Sequence, residues 1–148
     1  EQFGYRRLTT EWKSHSLELV DLNEDGRYVI HQILDNDLHL QPVRLAARLL
    51  DPEAFINNPT PMKTHNAVVA TLSIKNMTLG APLRSAPKES SRWSDKRRFH
   101  VGLRQMHLNI FMTAQRMRPN CGATVIDGYE GMEGNGPSSG SPGGEMIR

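Results

Sequence analysis

The stretch 94–128, SDKRRFHVGLRQMHLNIFMTAQRMRPNCGATVIDG, decides the fold class of this 148-residue chain. It predicts a long helix near 95–118, which Ser94 can cap and Pro119 ends. The apolar residues of this helix recur at the spacing of one buried face, and they are Phe99, Leu103, Met106, Ile110, Ala114 and Met117. Ala123–Ile126 then predicts a short strand. Helix and strand alternate here, which favours an α/β fold.

The N-terminal half predicts a hairpin and a second helix–strand unit. Ser16–Leu22 and Arg27–Leu34 are apolar runs separated by an Asp-Gly pair, which predicts an N-terminal β-hairpin. Pro42–Leu49 predicts a short helix, because proline is tolerated in a first helical turn. Ala54–Asn57 predicts a short buried strand that ends at residues 58–61, where two prolines exclude a helix. The resulting architecture is a central mixed sheet with flanking helices.

Two segments lack a clear pattern of buried residues. Residues 79–93 are rich in Pro, Ser and Lys, which predicts a mobile loop. Residues 122–144 hold eight of the twelve glycines, so 128–148 is predicted as a Gly-rich loop or tail, or as a backbone that approaches a ligand closely. Ala67–Met77 fits either helix or strand.

The whole of 1–148 is predicted as a single α/β domain and a fragment of a longer one.

Composition excludes several classes of protein. The single cysteine, Cys121, excludes an internal disulfide framework and an iron–sulfur cluster held by this chain alone. We expect it to be a small buried residue rather than a nucleophile. No apolar run approaches the ~20 residues that span a bilayer, so we expect a soluble, cytoplasmic protein without a membrane partner. An exposed sheet edge would favour a homo-oligomer.

The charge of the chain is unevenly distributed. Residues 1–74 hold seven Lys and Arg against ten Asp and Glu, whereas residues 75–148 hold eleven against six. Lys75–Arg118 contains ten basic residues, opposed only by Glu89 and Asp95. A field of this sign attracts anions. A solvated basic surface is the plainest interpretation, and a phosphate or carboxylate ligand is the sharper one. We expect no nucleic acid, because no stacking platform or binding motif is present.

Polar side chains follow two short apolar strands, and they form the predicted site. Lys63 and His65 follow the first strand, with Lys75 and Asn76 further on, and the second strand leads into 127–137. Ligands gather beyond the carboxyl ends of parallel strands, so the two segments would meet if Phe55–Asn57 and Ala123–Ile126 were parallel neighbours. Lys63 and Lys75 would neutralise an anion, and His65 would carry a proton or ligate a metal. The alternatives are surface lysines and a loop histidine bonded to backbone.

The acidic residues of the basic half suggest a metal site. Asp127, Glu130 and Glu133, together with His65, offer oxygen and nitrogen ligands suited to divalent Mg, Ca or Mn. The predicted metal ligands are His65, Asp127 and Glu130, although Asp-Gly is also an ordinary turn pair. Glycine N–H groups could form an anion-binding nest. The residues expected to contact the ligand are Asn76, Asp127, Glu133, Gly134 and Gly136.

Three ordered motifs carry a family resemblance. They are Phe55-Ile56-Asn57 with Lys63-Thr64-His65, then Thr71–Asn76, then Val125–Gly128 with the Gly-Pro segment up to Gly140. From roughly Ala46 to Gly140 the chain resembles the domain of unknown function 362 family. The resemblance implies an α/β domain of unestablished activity, often associated with ferredoxin-like iron–sulfur segments, and hence redox-linked or cofactor-linked chemistry. The family pattern continues with a further strand and helix that this chain lacks, which implies a partial copy.

These observations lead to two functional hypotheses of different classes. The leading one is a domain that binds a small anionic ligand or a metal-bound cofactor between the two strand-end segments. If it is an enzyme, Lys63, His65 and Lys75 are the predicted catalytic residues. The alternative is a non-catalytic domain that docks an acidic partner, such as an iron–sulfur protein, through its basic segment. A third possibility is an incomplete gene product without activity.

Overall fold

The computed structural model describes residues 4–67, 69–84 and 94–143. Its helices and strands confirm the predicted mixed α/β fold class. In chain order they are α1 (Tyr5–Glu11), β1 (Tyr28–Leu34), β2 (Leu40–Ala46), β3 (Ile56–His65), β4 (Val69–Thr71), α2 (Ser73–Gly80), α3 (Leu103–Met117), β5 (Cys121–Asn135) and β6 (Ser139–Gly143). The 3₁₀ helices are Ala47–Leu50, Asp95–His100 and Arg118–Asn120.

The strands form two sheets. β1 and β2 form an antiparallel hairpin, and the second sheet is mixed, with the strand order β4-β3-β5-β6. Within it β3 and β5 are parallel, whereas β4 and β6 are antiparallel to their neighbours. Ile56 lies opposite Cys121, and Asn57 lies opposite Ala123. The parallel pairing on which the predicted site depends is therefore present.

An N-terminal hairpin is present, but its strands differ from the predicted pair. β1 pairs with β2, and the predicted strand at residues 16–22 does not form. Of the predicted helix at 42–49, the part up to Ala46 belongs to β2, and only its end lies in a helix, the 3₁₀ helix Ala47–Leu50. Val43 and Leu45 are buried two residues apart, which is the period of a strand. The turn at 35–39 is stabilised by Asp35, whose Oδ1 accepts the backbone N–H groups of Asp37 and His39 at 2.9 Å. The hairpin turn therefore lies at residues 35–39, and not at the predicted Asp25-Gly26.

The mixed sheet is longer than predicted. β3 runs through Pro59 and Pro61 instead of ending before them, which is possible because β4 pairs only with residues 63–65 and leaves one edge of 56–61 open. Residues 67–77 contain both elements that the pattern allowed, β4 and the start of α2. The predicted Gly-rich loop or tail is wrong for residues 128–143, where β5 continues to Asn135 and pairs with β6. Part of the predicted loop at 79–93, residues 85–93, lies outside the described residues.

The predicted helix near 95–118 is divided in two. Ser94 caps the 3₁₀ helix Asp95–His100, and its Oγ accepts the Arg97 N–H at 3.3 Å. The backbone is extended at Gly102, and α3 begins at the next residue. Because of this interruption, the residues before and after Gly102 do not form one continuous buried face. Phe99, Met106 and Met117 are buried as predicted, whereas Leu103 is 61% exposed.

The core lies mainly between the hairpin, α2 and α3, and Ile56 of β3 packs against it from the mixed sheet. Its buried cluster is Ile33, Val43, Leu45, Leu79, Ala81, Phe99 and Met117. Backbone hydrogen bonds join the hairpin to the chain that follows α2, from Ala46 N to Ala81 O and from Leu83 N to Arg44 O. These contacts fix α2, and with it the candidate site residues Lys75 and Asn76. Within the described residues, no helix has the length and apolar character needed to cross a membrane.

A polar stripe on α3 faces β1. Gln105, Asn109 and Thr113 are buried at four-residue spacing, and each bonds to the hairpin. Asn109 accepts the Leu34 N–H at 2.7 Å and donates to the Leu34 carbonyl at 2.8 Å, while Gln105 donates to the same carbonyl. Thr113 Oγ1 lies 3.3 Å from His31 Nε2. The stripe therefore satisfies backbone groups at the end of β1 that would otherwise be buried without partners.

Candidate functional site

Lys75 on α2 lies within electrostatic influence of Lys63 on β3 and of Lys96 on the 3₁₀ helix that precedes α3, and we call these three residues the lysine cluster. All three are half-buried. Burial lowers the pKa of Lys75, and the charges of Lys96 and Lys63 lower it further. Burial also lowers the pKa of Lys96, with a contribution from Arg84. Both shifts mean that the protonated cluster is destabilised by lost hydration and by repulsion.

The strand geometry positions Lys63. The pairing of β3 with β5 shifts register between Pro61 and Lys63, which interrupts the regular alternation of side chains. Across the other edge Lys63 lies opposite Thr71 of β4. Thr71 is buried, and its hydroxyl makes no hydrogen bond to any residue in the described part of the chain. A buried hydroxyl without a partner in the described residues thus lies on the strand next to Lys63.

Side-chain hydrogen bonds position Lys75 by fixing the first turn of α2. Asn58 Nδ2 donates to the carbonyl oxygen of Ser73 at 2.8 Å, and the Ser73 hydroxyl lies 2.7 Å from Thr124 Oγ1. Asn76 Nδ2 donates to the buried Thr60 Oγ1 at 2.5 Å. α2 is therefore joined to both β3 and β5. We expected Asn76 to contact a ligand, but its side-chain N–H instead donates to Thr60 and so links α2 to β3.

His65 lies beside the cluster at the end of β3. Burial lowers its pKa first, and the charges of Lys75, His100 and Lys63 lower it further. Its Nδ1 accepts the Ala67 N–H at 3.0 Å, so the neutral ring carries its proton on Nε2. The contact to backbone agrees with the plainer of the two interpretations of this histidine. The ring is nevertheless oriented, and it can offer Nε2–H to a ligand at neutral pH.

The positive charge of the cluster is not compensated by acidic side chains. Within residues 4–67, 69–84 and 94–143, no carboxylate forms an ion pair with Lys63, Lys75 or Lys96. Asp95 precedes Lys96 in the chain, but its buried carboxylate accepts both the backbone N–H and the Nε of Arg44 at 2.8 Å. An anion from outside the described chain would relieve the repulsion among the lysines.

The predicted acidic residues of the site form no ion pair with the lysine cluster in the described part of the chain. Asp127 lies exposed on β5 and accepts the N–H of Tyr129 at 3.0 Å, which is an ordinary Asx turn. Glu130 and Glu133 are exposed further along the same strand. Among the described residues, the side chains that converge closely enough to share a metal ion are Asp35, Asp37 and His39 in the hairpin turn. His65, Asp127 and Glu130 do not converge in this way, so the structure does not assemble the predicted metal ligands.

Gly134 and Gly136 approach the end of β3, but through their carbonyl groups. Thr64 Oγ1 donates to the Gly134 carbonyl at 2.9 Å, and the Asn66 N–H donates to the Gly136 carbonyl at 3.0 Å. The N–H of Gly136 is itself bonded to Gly134 O. A side chain at position 136 would overlap the Thr64 carbonyl oxygen, which explains the glycine. The close approach that we predicted is therefore to the neighbouring strand rather than to a ligand through free N–H groups.

Two further residues differ from expectation. Cys121, predicted to be buried, is exposed at the start of β5, where its Sγ lies 3.3 Å from the Met117 carbonyl. Lys96 lies in the basic segment Lys75–Arg118, but the sequence did not predict it as a residue of the site. The helical pattern of 95–118 gave no signal for it, because its neighbours in the cluster come from β3 and α2. Its half-burial and its electrostatic influence on Lys75 become visible only in the folded chain.

Comparison with known proteins places the chain in a family. No curated protein and no solved structure shows significant similarity to it. The family model described as a domain of unknown function, DUF362, matches residues 1–147. The match includes the N-terminal hairpin, so the extent that we predicted, roughly 46–140, was too narrow. The chain belongs to the DUF362 family of domains of unknown function.

Proposed function

We propose that this domain binds a small anionic ligand, bearing a phosphate or a carboxylate group, through the lysine cluster. One observation carries the proposal: Lys75 is half-buried within electrostatic influence of Lys63 and Lys96, which are half-buried as well, and none of the three has a carboxylate partner among the described residues. Such an arrangement costs free energy in the unliganded protein. A bound anion would remove that cost, since it supplies the missing negative charge.

The neighbouring polar groups suit an anion. Lysine ammonium groups bind phosphate as point charges, and Nε2–H of neutral His65 and the hydroxyl of Thr71 would add directional hydrogen bonds. Bound negative charge would raise the lowered pKa of Lys75 again. In a reaction, Lys75 and His65 would be the groups able to move a proton. The redox-linked chemistry suggested by the family resemblance would use the same lysines to hold an anionic cofactor.

The test is the affinity for inorganic phosphate in variants of one lysine. We expect wild-type protein to bind phosphate at pH 7 and Lys75→Met to bind it about tenfold more weakly, because one close charge is lost. Lys75→Arg should retain much of the affinity. Isothermal titration calorimetry measures these constants. Lys13→Met is the matched control, since Lys13 is an exposed lysine near the N-terminus. Equal affinities of Lys75→Met and wild type would contradict the proposal.

Docking of an acidic partner is a second candidate, favoured by a different observation. Arg104 and Arg116 are exposed along α3, and Arg118 follows its last turn. A long-range field from these side chains would steer an acidic surface such as that of a ferredoxin. Binding of this kind would weaken steeply with salt and in the double variant Arg104→Gln, Arg116→Gln, but not in Lys75→Met. The two candidates are thereby separated.

A further inference from the structure

We infer that the anionic ligand also carries an apolar body, and that this body lies in the groove between α2, α3 and the mixed sheet. The inference rests on the proposed anion site and specifies the class of ligand. The class is a carboxylate or phosphate attached to an aromatic ring or a short aliphatic chain. The observation behind it is that Lys75 belongs both to the lysine cluster and to the wall of this groove.

The groove has a volume of about 470 Å³ and mostly apolar walls. The size lies within the range of small-molecule sites, roughly 300–1,000 Å³. Leu72 and Ile74 contribute from the beginning of α2, Ile110 from α3 and Ile126 from β5. Ile74 and Ile126 are partly exposed to solvent along it. An apolar group placed here would cover side chains that otherwise face water.

The polar groups of the groove leave only one obvious partner for a ligand. The Ser73 hydroxyl is bonded to Thr124, and His107 Nε2 is bonded to the Ala67 carbonyl at 3.2 Å. The ammonium group of Lys75, by contrast, has no hydrogen-bond or ion-pair partner within the portion of the chain that the structure describes. A ligand in the groove would therefore meet apolar walls along its length and a single unpaired ammonium. An amphipathic anion matches both features, whereas an inorganic ion would leave the groove unused.

The experiment compares ligands with the same charged head and different bodies. The probes are methyl phosphate and phenyl phosphate, with acetate and benzoate as a second pair, titrated calorimetrically into the full chain. We expect phenyl phosphate to bind at least about tenfold more tightly than methyl phosphate, because the ring buries apolar surface. Phenol tests whether the ring alone is sufficient, and we expect it to bind at least about tenfold more weakly than phenyl phosphate.

A matched pair of variants places the ring. Ile74 lines the groove and Phe111 of α3 does not, and both side chains are 60% exposed, so neither is needed for the core. Ile74→Asp should remove the advantage of phenyl phosphate over methyl phosphate, and Phe111→Asp should retain it. Lys75→Met should weaken both phosphates.

Each outcome separates the inference from the function on which it rests. If methyl and phenyl phosphate bind equally, and acetate and benzoate likewise, the inference is overturned and the anion site stands. If phenol binds as tightly as phenyl phosphate, the groove and the lysines do not share one ligand, and the inference is overturned as well. If an advantage of phenyl phosphate survives in Ile74→Asp, the ring lies elsewhere and the inference is also overturned. If none of the four anions binds, the proposed anion site fails first.

Discussion

His31 shows how a single buried side chain can make the stability of this domain depend on pH. The residue lies on β1, is 8% exposed and contacts Thr113 of α3. Burial lowers its pKa below the ordinary value of 6.5, and the nearby charge of Arg116 lowers it further. The folded protein therefore takes up this proton at a lower pH than the unfolded chain does. Acid conditions favour the unfolded state through this residue.

The prediction concerns the slope of stability with pH. As pH falls through 6.5 towards the lowered pKa of His31, the unfolded state gains the proton first, so the free energy of unfolding decreases. His31→Gln, which cannot be protonated, should show a shallower decrease between pH 7 and 5 in urea denaturation. The exposed His15→Gln should keep the wild-type slope. Identical slopes in all three proteins would show that His31 does not contribute.

At the scale of the element, α3 combines an apolar face with the polar stripe that holds the hairpin. Asn109 is the centre of the stripe, since its amide both accepts from and donates to the backbone of Leu34. Hydrogen bonds of a buried amide to backbone fix the position of a strand more strictly than apolar contacts do, because they depend on direction as well as distance. The hairpin thereby keeps one register against the helix.

Replacing this amide should be costly. Asn109→Asp keeps the shape but loses the donor to the Leu34 carbonyl and buries a charge, so we expect a loss of about 3 kcal/mol in the free energy of unfolding. Gln115→Glu makes the same chemical change at an exposed position of the same helix, and it should alter stability by less than about 0.5 kcal/mol. Chemical denaturation followed by circular dichroism measures both. Similar values for the two variants would contradict the role given to the stripe.

At the scale of the whole molecule, the apolar core is concentrated on one side. The buried cluster joins the hairpin, α2 and the segments around α3, whereas β5 from Cys121 to Asp127 is exposed throughout. Regions with few buried contacts open locally at lower free energy than the core does. The far end of the mixed sheet, where β5 meets β6, is such a region.

Hydrogen exchange tests this uneven stability. Amide protons of β1 near Ile33 should exchange only when the whole domain unfolds, while those of paired residues in β6, such as Ser141, should exchange through local opening. Exchange measured by nuclear magnetic resonance at increasing urea distinguishes the two, since only global exchange depends strongly on denaturant. Equal dependence at both places would mean that the domain opens as one unit.

Sequence patterns suggested that Phe55–Asn57 and Ala123–Ile126 could be parallel neighbours, because two short apolar runs with a helix between them favour that arrangement. They did not predict the partner of β1, since Pro42 suits the first turn of a helix as well as a strand. The polar stripe was also missed. A buried Asn109 makes sense only once Leu34 is known to lie against it, and no spacing along the chain records that contact.

Only part of the candidate site could be predicted from the sequence, because contacts between distant elements leave no local pattern. Lys63, His65 and Lys75 were predicted as one group, and the structure brings them within electrostatic influence of one another. Lys96 enters from a different element, which no local pattern signals. Asp127 was expected because it ends an apolar run, but β5 continues past it, and the chain beyond pairs with β6 rather than folding over the lysines.

The two prolines of β3 have a consequence for how copies of this protein meet. Pro59 and Pro61 lie two residues apart in a strand, so their nitrogens point to the same edge. Neither nitrogen carries a hydrogen, and β5 already occupies one edge of this stretch. We expect the proline nitrogens to face the open edge, where an incoming strand would find no donors. At high protein concentration, a strand from another copy would therefore not add to the sheet at this edge. The prolines would thus protect the domain against aggregation through strand addition.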